Sequence, residues 1–161
     1  ATPSGGLKAN LIEVKSIEDL KKLGREKIAG KIVFFNRPMQ PELINTFEAY
    51  GNCVDQRYSG AEEAVKYGAV GVIVRSLSLK IDDYPHTGSM SYGNLPPNQR
   101  IPAAAISTRH ANMLSTLLKL DSGIKIVFKQ YCRIFEDVLS HNVIGEIKGS
   151  ELPQEIITVG G

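Results

Sequence analysis

The 161-residue chain lacks most of the signatures that announce a function. It has no run of lysine or arginine, and its formal net charge is only +2. The cations are scattered as on a solvated surface, which argues against a face that tracks nucleic-acid phosphates. No apolar run approaches the roughly 18 residues of a membrane-spanning helix. The only cysteines are Cys53 and Cys132, too far apart for a CxxC redox or zinc motif. Two free or semi-buried thiols are expected. One long-range disulfide is the alternative, because spacing alone cannot show that two sulfurs meet. No signal peptide is visible. The opening ATPSGG reads as a trimmed end, so that absence is silent on compartment.

The usual chemistries are missing as well. Gly68-Ala69-Val70-Gly71 is glycine-rich, but it leads into a strand and not into the helix N-terminus that would hold a phosphate. The histidines, His86, His110 and His141, form no HxH or HExxH pair. No GxSxG elbow occurs. Asp82-Asp83 and Glu62-Glu63 are adjacent carboxylates, which point apart on a strand or helix and read as solvated charge.

What is present is an ordinary globular composition, 42% hydrophobic and 22% charged, with alternating α and β patterns. Residues 11–14 predict a short strand. Ser16 is the expected N-cap of a helix carrying Ile17, Leu20 and Leu23 on one face, with Gly24 as its stop. Residues 31–35 (KIVFF) predict a buried strand. Pro41 is expected to open a second helix with Leu43, Ile44, Phe47 and Tyr50 on one face. Residues 53–58 read as a strand or an extended connection. Gly60–Tyr67 predicts a helix whose Ala61 and Ala64 let it lie close to a sheet. Residues 69–75 (AVGVIVR) predict a strand buried on both faces.

Residues 101–106 predict a further strand. A helix capped by Ser107 or Thr108 follows, with Ala111, Leu114, Leu117 and Leu118 on one face. Residues 123–131 then alternate as a strand with Ile124, Ile126 and Phe128 on one side. Two last strands are expected at 141–148 and 155–159, with unpaired edges that predict dimerisation or docking of the tail. The chain stops at Gly160-Gly161, directly after a strand, where α/β proteins gather ligands. Residues 76–100, containing Ile81-Asp82-Asp83-Tyr84-Pro85-His86-Thr87-Gly88, form a connection long enough to predict a functional role.

The runs GKIVFFNRPM (residues 30–39), GAEEAVKYGAVGVIVRS (60–76), PHTG (85–88) and IPAAAIS (101–107) occur in an order that resembles a protease-associated domain. The resemblance is to the one in secreted zinc metallopeptidases of the plasma glutamate carboxypeptidase (carboxypeptidase Q) type. It implies an α/β (α+β) fold, a twisted β-sandwich or split barrel with flanking short helices, over residues 1–137. A doubly wound sheet is the rival drawn from the pattern alone. Residues 138–161 resemble the opening strands of that family's peptidase domain. The resemblance further implies a secreted or periplasmic parent with two zinc ions, whose metal ligands and general base lie downstream of Gly161. This stretch would then carry no catalytic or metal-binding residue. Its partners would be the peptidase domain of the same polypeptide and a peptide substrate, with a homodimer through the tail strands as a further option.

In that family the inserted domain lies over the peptidase cleft, which makes Arg75, Tyr84, His86, Thr87 and Gly88 the substrate-cleft candidates. His86 can donate or accept, and Arg75 can meet a carboxylate bidentately. The competing readings pair Arg75 with Asp82 or Asp83 and use His86 to cap a turn. A stand-alone protein- or peptide-binding module is the alternative function.

Overall fold

A computed structural model describes residues 2–133 and 135–160. Its strands are β1 (Leu7–Val14), β2 (Ile32–Phe35), β3 (Gly71–Arg75), β4 (Ala103–Ile106) and β5 (Lys125–Phe128). They form one mixed sheet in the order β4-β3-β2-β1-β5, parallel from β1 to β4 with β5 antiparallel. The α/β class expected from the sequence is the one observed. β1 changes partner along its length: Leu7–Asn10 pair with β5, and Leu11–Val14 pair with β2. The sheet curls far enough that Gln130, just past the β5 edge, donates from Nε2 to the Ala103 carbonyl at the β4 edge, 3.0 Å away.

Helices cover both faces. α1 (Ile17–Ile28) and α4 (Gly60–Lys66) lie on one. Leu20, Ile28, Ala61 and Ala64 pack there against Val33, Phe35, Val72 and Val74. On the other face α5 (Thr108–Leu120) places Ala111 against Ile32, Phe34 and Ile73, with Ile126 and Phe128 of β5 alongside. The period-two pattern of β2 therefore feeds both cores, and all its residues are buried. Gly60 shows why small residues open α4: a Cβ there would meet the Phe35 ring at 3.0 Å.

Capping follows the sequence closely at two helices. The Ser16 hydroxyl accepts the Asp19 N–H at 3.0 Å, and the Ser107 hydroxyl accepts the His110 N–H at 3.1 Å. Gly24 takes the left-handed φ of 62° expected of a stop, yet the chain re-enters a helical turn and runs on to Ile28. There Ile28 reaches the core.

Three expectations need correction. The helix expected from Pro41 begins only at Thr46 (α2, Thr46–Gly51), because Asn45 supplies a side-chain cap to the Phe47 N–H that Pro41 cannot supply. Ile44 and Phe47, expected on one face of that helix, are 102% and 87% exposed. Residues 53–58 are helical, not extended: α3 (Asp55–Tyr58) runs almost directly into α4. The strands expected at 141–148 and 155–159 do not form, and the tail does not dock. Val143, Ile144, Ile147, Ile156 and Ile157 all stand exposed. A strand requires a partner to satisfy its backbone, and none is available to these segments among the described residues.

Candidate functional site

The long connection after β3 is held at both ends. Ser76 Oγ donates to the Ile106 carbonyl and accepts the His86 N–H, each at 2.7 Å. Thr108, at the first turn of α5, accepts the Asp82 N–H at 3.0 Å and donates to the Lys80 carbonyl at 2.9 Å. Asp82 Oδ1 accepts the Tyr84 N–H at 3.0 Å, closing an Asx turn. Further along, the Ser91 N–H donates to the Tyr58 carbonyl at 2.8 Å. Between these anchors Tyr84, Pro85, His86 and Thr87 project from the surface.

His86 does cap a turn, as one reading held, but it keeps one ring nitrogen in reserve. Its Nδ1 lies 3.1 Å from the Leu77 carbonyl. A carbonyl only accepts, so Nδ1 carries the proton. The neutral ring then leaves Nε2 as an acceptor.

Two cavities flank this loop. One, of about 390 Å³, is largely apolar and is lined by Met39, Phe47, Tyr50, Leu77, Leu79 and His86. The other, of about 260 Å³, includes Arg57, Thr87, Gly88, Met90 and Gln130 in its wall. Of the sequence-predicted candidates, His86, Thr87 and Gly88 therefore line cavities, and Tyr84 lines neither.

Arg75 lies elsewhere. It is 5% exposed at the carboxyl end of β3, and its Nη1 donates to Asn112 Oδ1 at 2.6 Å and Asn36 Oδ1 at 3.3 Å. It does not pair with Asp82 or Asp83, as the competing reading had it: Asp82 faces Lys80 at 3.8 Å and Asp83 faces Arg109 at 3.4 Å. Burial pushes the Arg75 guanidinium below its ordinary value, opposed only by the charge of Glu13.

Sequence reading missed Arg57. Its Nε donates to the Ser89 carbonyl at 3.2 Å, its Nη2 to the Tyr50 hydroxyl, and its guanidinium stacks 5.4 Å from the Tyr50 ring centre. Gln56 was missed too. Fully buried, it accepts the Arg37 N–H at 3.0 Å and donates to the Arg37 carbonyl at 2.7 Å, mimicking a strand partner. Both residues sit in the segment read as extended, where no periodicity marked them.

Among the described residues no group of three His, Cys, Asp or Glu side chains stands together as a metal site requires. His110 turns Nδ1 to the Ser107 hydroxyl at 2.9 Å, and His141 is exposed on the tail. The residues present do not fit a zinc centre. Cys53 and Cys132 are free thiols, one buried and one exposed, and burial raises the Cys53 thiol above its ordinary value. No helix is long and apolar enough to cross a membrane among the described residues.

No family model matches the chain. It is similar to carboxypeptidase Q of Xenopus laevis, 37% identical over 160 residues, which is 99% of this chain and 32% of that protein. The human carboxypeptidase Q is 35% identical over 162 residues with the same coverage. The chain thus spans about a third of the length of the curated relatives it matches. Among solved structures, a peptidase M28 precursor from Shewanella amazonensis SB2B matches with a TM-score of 0.68 and 34% identity, over 75% of this chain and 26% of that one. An aminopeptidase from Aneurinibacillus sp. strain AM-1 shares the fold at a TM-score of 0.50 and 17% identity, over 80% of this chain and 26% of its own.

Proposed function

Because the chain is homologous to one stretch of carboxypeptidase Q and to part of an M28 peptidase, we propose that it is the non-catalytic, protease-associated part of a zinc exopeptidase. In this reading residues 1–137 form a lid that shapes substrate access, and residues 138–161 open the peptidase domain. The parent is secreted or periplasmic, acts on small peptides, and holds two zinc ions with ligands outside this chain. There the metals would activate water and polarise the scissile carbonyl.

The observation that carries the lid role is the loop from Tyr84 to Gly88. It is pinned at both ends, exposed at its apex, and flanked by two cavities. A rigid scaffold presenting an exposed polar loop is the usual way to place substrate-contacting groups. Nε2 of His86 is the acceptor such a loop offers.

The test is His86→Ala in the full-length enzyme. We expect altered kcat/KM across a dipeptide series, while the 161-residue chain alone neither hydrolyses dipeptides nor retains zinc after dialysis. An unchanged kcat/KM for every dipeptide sinks the access role of His86. Turnover by the chain alone with bound zinc sinks the non-catalytic reading.

A second reading rests on the apolar rim of the larger cavity, where Phe47 projects beside Met39 and Leu79. Such a patch fits a module that binds a peptide by itself. Saturable peptide binding by the chain alone, lost in Phe47→Ser, would favour it.

A further inference from the structure

The carboxyl ends of β1, β2 and β3 lie side by side, and the residues that follow or end them are Lys15, Asn36 and Arg75. With Asn112, Ser115 and Lys119 of α5 they line a polar cleft of about 290 Å³. Ligand sites in open parallel sheets favour this end.

Hydrogen-bond accounting in the cleft leaves donors over. A guanidinium only donates, so both asparagines must turn Oδ1 to Arg75. Asn36 then spends Nδ2 on Glu13 Oε1 at 2.8 Å. Asn112 Nδ2 makes no hydrogen bond among the described residues. All the hydrogen bonds of Arg75 leave from Nη1, and Nε is buried without a partner among the described residues. A buried guanidinium so incompletely paired is costly to keep. Lys119 enters no ion pair among the described residues.

The cleft already solvates one carboxylate. Glu13 accepts from Lys15 Nζ, from Asn36 at 2.8 Å, and from Ser115 Oγ at 2.8 Å. The cleft lining itself holds three cations (Lys15, Arg75, Lys119) and no carboxylate; Glu13 stands beside it.

We propose that this cleft binds a second carboxylate, that of a small organic acid or a peptide C-terminus, between Arg75, Asn112 and Lys119. A planar carboxylate matches the guanidinium edge and the amide donor. The proposal does not rest on the lid reading. The cleft of Arg75 includes neither His86 nor Thr87, and binding is read on this chain alone.

The experiment titrates the 161-residue chain with N-acetylglycine, N-acetylglycinamide and inorganic phosphate. The readouts are the Arg75 Nε–H and Asn112 side-chain amide NMR signals. N-acetylglycine should move both signals saturably, and the uncharged amide should move neither. Lys119→Ala should raise the N-acetylglycine Kd about threefold or more, the scale of one partly exposed ion pair. Lys119 is exposed, so the variant stays folded where Arg75→Gln could collapse the cleft. Three results would each overturn the proposal: no saturable shift with N-acetylglycine, equal shifts with the amide, or tighter binding of phosphate than of the carboxylate.

Discussion

The Arg57 guanidinium lies so close to Gly88 that a Cβ built on Gly88 would come within 2.6 Å of Arg57 Cζ. The last residue of the PHTG turn and an arginine of α3 thus share one wall of a cavity. Gly88→Ala should push Arg57 off the Ser89 carbonyl and off Tyr50. The far end of a flexible side chain can give way, so the melting temperature should move by no more than about 2–4 °C, the equivalent of about 1 kcal/mol. The check is a thermal melt paired with the Arg57 Nε–H NMR signal. An unmoved signal would show that the contact is dispensable.

Gln56 holds the Arg37 backbone by both its amide atoms. Gln56→Leu keeps the volume but leaves that N–H and carbonyl unpaired. A loss of about 2–4 kcal/mol in urea unfolding is expected, since each stranded buried group costs about 1–3 kcal/mol. A loss under about 1 kcal/mol would mean that water replaces the amide.

Stability should carry the imprint of Glu13 in its pH dependence. Burial raises its carboxyl, but hydrogen bonds from Lys15, Asn36 and Ser115, with the charge of Lys15, outweigh burial and hold it below its ordinary value of 4.5. A depressed folded-state value stabilises the fold above pH 4.5, and that contribution is lost as pH falls through the depressed value. Glu13→Gln should therefore be less stable than the parent at pH 7, with the gap closing as pH drops below 4.5. A gap that stays constant from pH 7 to pH 3 would refute the linkage.

Gly60 separates α4 from β2 by the width of a missing side chain. Gly60→Val should overpack the Phe35 ring and cost about 1–3 kcal/mol. Equal stability by chemical denaturation would show that the helix shifts freely over the sheet.

Legibility in the sequence followed the strength of the local signal. β2, β3 and α4 were readable because apolar β-branched runs and small residues state both their element and their burial. Ser16 and Ser107 marked helix starts because a cap is a local bond. Residues 141–159 misled for the opposite reason. Their alternation describes half of a strand pair, and pairing is a long-range event. Pro41 misled because a permitted helix start lost to the better cap at Asn45. In the site, PHTG and Arg75 stood out as residue types. Only the fold could show that they line separate cavities, and that Arg57 stands beside Gly88 in the wall of one of them.

The bond from Gln130 to Ala103 sets an order of assembly. β1 precedes the other described strands, yet half of it waits for β5, and a residue two positions beyond β5 fastens the curl. During synthesis the parallel strands can assemble from residues 7 to 106, but the sheet stays open until residue 130 leaves the ribosome. A truncation before Gln130 should therefore give a loosened sheet with a long-lived open edge, and folding should be slow for the chain's size because the pairing of β1 with β5 joins Leu7 to Phe128.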